Sequence, residues 1–172
     1  MLLTFKIQLN LSDEQQTIIN DMSNDGRMLY NHFLEELKEQ YEKDKTFISY
    51  YKQQKELKDY KCEYLTFDVK KEILRTLHNN YSSFFKLVKK NKDLNPKPPK
   101  FRGKDYFFTL SFTQDFIIKE NILKISYSNY RKLDIELDYI NPIKNLICLR
   151  NKTSKSEIKQ LKIYVENNKY YN

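Results

Sequence analysis

The residues of this sequence that could act chemically are mainly cations, and many of them lie in one stretch. Residues 86–104, KLVKKNKDLNPKPPKFRGK, contain eight basic residues and one acidic residue. The whole chain has 31 basic and 23 acidic residues, so 23 basic and 22 acidic residues remain outside this cationic segment. Clustered lysine and arginine side chains attract phosphate groups. We therefore expect seven of these cations to contact a nucleic-acid backbone: Lys86, Lys89, Lys90, Lys97, Lys100, Arg102 and Lys104.

Three of the four prolines of the chain, Pro96, Pro98 and Pro99, also lie in the cationic segment. Proline fixes φ and lacks an amide hydrogen, so we expect no regular element to cross this region. Helical patterns precede it and strand patterns follow it. A lysine-rich chain can also come from an AT-rich genome, but codon bias would scatter the lysines rather than cluster them.

No motif of the sequence predicts a catalytic site. HExxH, GxSxG, Walker and GxGxxG patterns are absent, and His32 and His78 lie on two different predicted helices. Three acids on one predicted strand could suggest a divalent-ion site, but their alternation with apolar residues favours a solvent-facing surface: Asp134, Glu136 and Asp138. We therefore expect no enzyme activity, no cofactor, no metal and no small-molecule substrate for this chain.

The two cysteines, Cys62 and Cys148, are far apart and form no CxxC motif, so neither a zinc ribbon nor a disulfide framework is expected. The first residues do not resemble a secretory signal. No apolar run approaches the roughly 20 residues that a membrane span needs. These features predict a cytoplasmic protein without a membrane partner.

The first half of the chain predicts helices with recognisable starts. Ser12 begins an S-D-E-Q capping box, and a break or kink is expected at Asn24-Asp25-Gly26. A shorter helix is expected from Ser49 to about Tyr60, and Thr66 is expected to cap a longer one. The exposed face of this last helix is predicted to carry three further cations that contact nucleic acid, Lys70, Lys71 and Arg75.

Period-two patterns predict about six short strand segments, with a hairpin counted as one. They cover residues 3–9, 106–113, a hairpin at 116–125, 133–137, 143–149 and 158–165. Short strands of even spacing favour a small barrel. The predicted fold class is α+β: a small antiparallel β-barrel with a helical domain inserted after its first strand.

Five segments in order resemble the TnpB family of transposon-encoded RNA-guided nucleases, which are related to type V CRISPR effectors. They are YNHFL at 30–34, the helix ending in YSSFF at 81–85, PKFRGK at 99–104, LSFTQ with IIKENILKIS at 110–126, and KIYVENNKYY at 162–171. The resemblance implies a wedge barrel formed by residues 1–10 and 96–172, with a helical recognition insertion at 11–95. It also implies guide RNA and target DNA as partners in a prokaryotic cytoplasm or nucleoid. The RuvC-like nuclease and zinc ribbon of the family have no counterpart in these 172 residues.

The resemblance further implies a set of residues that read the short DNA motif beside the target. By position these are Tyr50, Gln54, Phe67, Lys71 and Thr113. Aromatic rings could give stacking contacts, and the amide and ammonium groups could reach base edges or phosphates. From the residues alone, Tyr50 and Gln54 fit an ordinary exposed helix start, and Phe67 fits a hydrophobic staple.

The function expected from these patterns and the resemblance is nucleic-acid binding, as the N-terminal half of a TnpB-like RNA-guided DNA-binding protein without its own nuclease site. The chain could be part of a larger effector, a split subunit or a shortened relative. Two alternatives stay open. One is a stand-alone DNA- or RNA-binding regulator, and the other is a subunit that docks on a separately encoded nuclease domain or subunit.

Overall fold

Three helices precede six short strands among the residues that the computed structural model describes. These are residues 6–90, 95–119, 121–128, 131–137, 160–166 and 169–171. The helices are α1 (Asp13–Asp44), α2 (Tyr50–Glu56) and α3 (Phe67–Lys90). The strands are β1 (Leu110–Phe112), β2 (Phe116–Lys119), β3 (Ile122–Tyr127), β4 (Arg131–Glu136), β5 (Leu161–Glu166) and β6 (Lys169–Tyr171).

All three predicted helix starts are confirmed. Ser12 Oγ accepts a hydrogen bond from the Gln15 amide at 3.3 Å, and the Gln15 side chain accepts from the Ser12 amide at 2.8 Å, which completes a capping box. Ser49 and Thr66 cap α2 and α3, since each hydroxyl accepts from the amide three positions on, at 3.4 Å. The end of α2 at Glu56 comes earlier than predicted.

The predicted break at Asn24-Asp25-Gly26 is wrong, because α1 runs through it without interruption. Gly26 is buried on the face that meets α3 and the segment before β1. A Cβ at this position would lie 3.2 Å from Ile73 Cδ1 and 3.4 Å from Phe108 Cδ1. The glycine therefore permits close packing of neighbouring elements and does not end the helix.

The strands of the described residues form two antiparallel sheets with orders β1-β5-β6 and β2-β3-β4. β2 and β3 form the predicted tight hairpin, with Lys119 opposite Ile122. Gln8 pairs with Tyr171 in an isolated antiparallel bridge, and the Leu9 amide donates to the Tyr170 carbonyl at 3.0 Å. The N-terminal segment thus lies beside the last strand, with all three helices between them in sequence.

Closure of the strands into one barrel stays a prediction. The expected strand at 143–149 lies outside the described residues, as do residues 3–5, Asp138 and Cys148. β1 and β5 are shorter than the predicted strands, and β4 covers residues 131–136, whereas the predicted strand covered 133–137.

One apolar cluster joins the helices to both sheets. Its fully buried side chains include Leu34 of α1, Leu74 of α3, Phe112 of β1 and Ile125 of β3. Burial of such side chains is the main stabilising contribution to a fold of this size. The helices and strands are therefore held together by one core, which fixes the positions of the surface residues that they carry.

Candidate nucleic-acid interface

The cationic segment joins the end of α3 to an irregular stretch. Lys86, Lys89 and Lys90 are exposed in the last turns of α3, while residues 91–94 lie outside the described part of the chain. Residues 95–109 contain neither helix nor strand, as the prolines predicted. Lys97, Lys100 and Lys104 are also exposed.

None of these six lysines forms an ion pair with another described residue. Their charges are therefore not neutralised by the described part of the protein. Exposed and unpaired ammonium groups can exchange their counterions for the phosphates of a nucleic acid.

The side chain of Asn31 in α1 holds the irregular stretch in place. Its Nδ2 donates to the Arg102 carbonyl at 2.9 Å, and its Oδ1 accepts from the Arg102 amide at 2.8 Å. Next to this contact, Lys38 Nζ lies 4.1 Å from the centroid of the Phe101 ring. Helix α1 therefore positions the main chain that carries Lys100 and Lys104. No sequence pattern predicted that Asn31 would hold this stretch, although the residue lies in the YNHFL segment.

Arg102 is only partly exposed, unlike its lysine neighbours. Its guanidinium carbon lies 5.5 Å from the ring centroid of Tyr30 and 4.6 Å from that of Tyr106. Its Nε is buried without a hydrogen-bond partner among the described residues. Cation–π contacts of this kind fix the side chain between α1 and the segment before β1.

Three of the five residues predicted to read a flanking DNA motif meet at the start of α3. The carboxylate of Asp68 accepts from Thr113 Oγ1 at 2.8 Å and lies 3.2 Å from Lys71 Nζ. Burial of Asp68 works to raise its pKa, but the hydrogen bonds from Thr113 and Lys71 outweigh this effect and lower the pKa. Phe67, which is 40% exposed, lies beside this group, with Lys71 Nζ 5.6 Å from its ring centroid.

The other two predicted motif-reading residues lie on α2. The Tyr50 ring packs edge-on against His78, with 5.5 Å between ring centroids, and Gln54 is half-buried. No hydrogen bond, ion pair or ring contact between described residues joins either side chain to the Asp68 group, which consists of Asp68, Lys71 and Thr113. The structure therefore joins Phe67, Lys71 and Thr113 through direct contacts, and it shows no such contact from Tyr50 or Gln54 to them among the described residues.

The neighbour Gln53, which no sequence pattern singled out, fixes α2 to both long helices. Its Nε2 donates to the Phe33 carbonyl at 3.0 Å and to Glu36 Oε2 at 2.9 Å. Its Oε1 lies 2.8 Å from His78 Nε2. Gln53 is fully buried, so satisfying all three contacts matters for the stability of α2.

Lys70 and Arg75, predicted as exposed cations of α3, are both engaged within the protein. Lys70 is half-buried and donates to the Tyr60 carbonyl at 2.9 Å, and Arg75 is exposed and forms an ion pair with Glu72. Lys70 also lines a cavity of about 490 Å³ that Phe67 and Cys62 border. Burial is the main cause that raises the pKa of the Cys62 thiol.

The acids on β4 form an exposed surface, as the alternation predicted. Asp134 pairs with Lys124 at 2.8 Å, and Glu136 accepts from Asn121 at 3.0 Å. Across the described ranges, no group of three or more His, Cys, Asp or Glu side chains could hold a metal ion. None of the helices described is long and apolar enough to cross a membrane.

Residues 1–46 match the family model HTH_OrfB_IS605, which is described as a helix-turn-helix domain. The match shows that this stretch is similar to the helix-turn-helix domain of that family. Among curated proteins, none matches the chain. The matched stretch contains all of α1, including Asn31, whose side chain holds the main chain at Arg102 of the cationic segment.

Proposed function

We propose that this chain binds nucleic acid as the N-terminal half of a TnpB-like RNA-guided DNA-binding protein. In this role it holds a guide RNA–target DNA heteroduplex and reads a short flanking DNA motif, and it has no nuclease site of its own. Base pairing with the guide supplies most of the sequence specificity, while the protein contacts the backbone.

The observation that carries the proposal is the set of six exposed lysines without ion-pair partners among the described residues. Three of them lie in the last turns of α3, and three lie on the irregular stretch beyond it. That stretch is attached to α1, which lies in the residues matched by the helix-turn-helix model, a type of domain that binds DNA. A rigid helix followed by a proline-stiffened strip suits a polymer with regularly spaced phosphates.

The Asp68 group supports the motif-reading part of the proposal. Asp68 orients Lys71 and Thr113 before binding. The two side chains therefore lose less conformational entropy when they contact DNA. The exposed ring of Phe67 beside them offers a surface on which a base or a thymine methyl group can pack. Lys71 would supply the polar contact to a base acceptor or phosphate.

The proposal is tested by replacing Lys97, Lys100 and Lys104 together with Gln. Affinity for an RNA–DNA heteroduplex is measured by fluorescence anisotropy at several salt concentrations. The slope of log K against log salt is negative, and loss of three phosphate contacts should reduce its magnitude by roughly 2–3. The matched control replaces three exposed lysines of the strands: Lys119, Lys132 and Lys162. Equal slopes for both triple variants would contradict the proposal.

The same measurement separates guided binding from a stand-alone regulator. The proposal requires a preference for the heteroduplex over double-stranded DNA of the same length. Equal affinity for duplex DNA with and without RNA would instead identify a DNA-binding regulator.

A further inference from the structure

An open cavity of about 410 Å³ lies along the C-terminal half of α3. This volume is within the roughly 300–1,000 Å³ that is typical of small-ligand pockets. One wall comes from α3 and the opposite side from the segment that joins α1 to α2. Its lining residues are Phe47, His78, Tyr81, Ser82, Phe85, Lys86 and Lys89.

The wall of this cavity is aromatic. Phe47 packs edge-on against Tyr81 at 4.7 Å and against Phe85 at 5.4 Å between ring centroids. Phe85 nevertheless keeps 38% of its surface exposed. An exposed ring held by edge contacts offers a fixed apolar surface for another planar ring.

The rim of the cavity is cationic. Lys86 and Lys89 lie three positions apart on α3, so they point to neighbouring places on one face of the helix. Neither forms an ion pair with a described residue. They are also the first two cations of the cationic segment, so a backbone that follows this segment passes the mouth of the cavity.

The polar groups inside the cavity have defined hydrogen-bonding roles. Because the amide nitrogen of Gln53 donates to two acceptors, its oxygen must face His78, and His78 Nε2 must carry a hydrogen. Burial lowers the pKa of His78 and favours the neutral ring. Nδ1 is then an acceptor, and it has no hydrogen-bond partner among the described residues. Ser82 adds a hydroxyl that can donate or accept.

We propose that this cavity takes the base of one unpaired nucleotide, stacked on Phe85, while Lys86 and Lys89 bind the adjoining phosphates. Both charge and shape support this ligand. A nucleotide has a flat base that fits the aromatic wall, and it has a phosphate that fits the cationic rim. The inference rests on the proposed function and adds a single-stranded contact at the edge of the heteroduplex. The nucleotide can belong to RNA or to DNA.

The test compares a blunt RNA–DNA heteroduplex with the same heteroduplex carrying a short single-stranded overhang of RNA or of DNA. The overhang contains 2-aminopurine, a fluorescent base that is quenched by stacking. The chain has no tryptophan, and the probe is excited at wavelengths that tyrosine does not absorb, so the probe is observed without interference from protein fluorescence. Each complex is measured with the wild-type chain, Phe85→Leu, Phe85→Tyr and Leu87→Ala. Leu87 is an exposed apolar residue of α3 that does not line the cavity and serves as the control.

The wild-type chain should quench the probe and bind one overhang more tightly than the blunt heteroduplex. Phe85→Leu should abolish the quenching and weaken overhang binding by roughly five- to 150-fold, the range for loss of one stacked base. Phe85→Tyr and Leu87→Ala should retain both effects. The more strongly quenched overhang identifies the ribose or deoxyribose strand as the source.

Two results would overturn the inference and leave the proposed function intact. One is unchanged quenching and overhang affinity in Phe85→Leu, and the other is a wild-type chain that binds blunt and overhanging substrates equally without quenching. Blunt binding by Phe85→Leu at the wild-type level shows that the variant is folded. A wild-type chain that fails to bind the blunt heteroduplex overturns the proposed function itself.

Discussion

Asn31 of α1 and Arg102 of the cationic segment are joined by two hydrogen bonds, although 71 positions separate them in sequence. The side-chain amide matches one carbonyl and one amide group of the main chain at 2.9 and 2.8 Å. A region rich in lysine and proline would otherwise have few apolar contacts to order it. The contact thus couples α1 to the surface proposed to bind phosphates.

Replacing Asn31 with Ala should loosen the cationic segment. Loss of both hydrogen bonds is expected to lower the free energy of unfolding by about 1–3 kcal/mol. Exchange of the Arg102 amide hydrogen should accelerate, and heteroduplex affinity should fall while helix content is retained. Urea denaturation, hydrogen exchange and anisotropy measure these three effects. Asn24→Ala is the control, because Asn24 is exposed and, among the described residues, its side chain forms hydrogen bonds with Arg27 and Met28 of the same helix. Equal amide exchange at Arg102 in both variants would contradict the assigned role.

Gly26 should tolerate a methyl group but not a larger side chain. Ala at this helical position gains up to about 1 kcal/mol in helix propensity, which offsets the close contact with the flexible Cδ1 of Ile73. The free energy of unfolding of Gly26→Ala should therefore stay within about 1 kcal/mol of wild type. Gly26→Leu should lower it by about 1–3 kcal/mol through overpacking.

Gly103→Ala provides the matched control for urea denaturation of the Gly26 variants. A Cβ at Gly103 would meet no heavy atom of the described residues within 4 Å, and Gly103 does not have a positive φ. A small change in stability is expected there. Unfolding of Gly26→Leu at the wild-type urea concentration would show that α1 and α3 do not pack closely at this point.

His78 should make stability depend on pH in a defined direction. Burial lowers its pKa in the folded state from the ordinary 6.5, so the unfolded chain takes up a proton first as the pH falls. The contribution of neutral His78 is fully present above about pH 6.5. It is lost as the pH falls from that value through the lowered pKa of the folded state.

Urea denaturation between pH 8 and pH 5 measures this effect. His78→Gln should show a smaller loss of stability over that range than wild type. Asn24→Ala, which changes no ionisable group, should retain the wild-type loss. A His78→Gln variant with the full wild-type pH dependence would show that another group causes it.

Local chemistry explains which parts of the fold could be predicted. The capping residues Ser12, Ser49 and Thr66 act within one helical turn, so the surrounding tertiary structure is not needed to recognise them. The hairpin of β2 and β3 is similarly encoded by alternation and a short connection. Gly26 was misinterpreted because its role depends on Ile73 and Phe108, neither of which is near it in sequence.

The candidate site divides in the same way. The concentration of charge in residues 86–104 is a property of composition, and the exposure of six lysines agrees with it. The roles of Asn31 and Gln53 could not be predicted, because polar residues on a helix show no local sign of a distant partner. Asp68, which joins Lys71 to Thr113, is likewise 45 positions from Thr113 in sequence.

The helix starts, the change from helical to extended patterns and the position of the excess charge can all be found in the amino-acid sequence. Each of these depends on side chains within a few residues of one another. Tertiary contacts were needed to show that α1 supports the cationic segment, that Arg102 lies between Tyr30 and Tyr106, and that Phe85 borders a cavity with lysines at its rim. Those relationships arise when the apolar core brings distant segments together. The hydrophobic effect is not directional, so an apolar pattern in the sequence does not specify which distant residues will become neighbours.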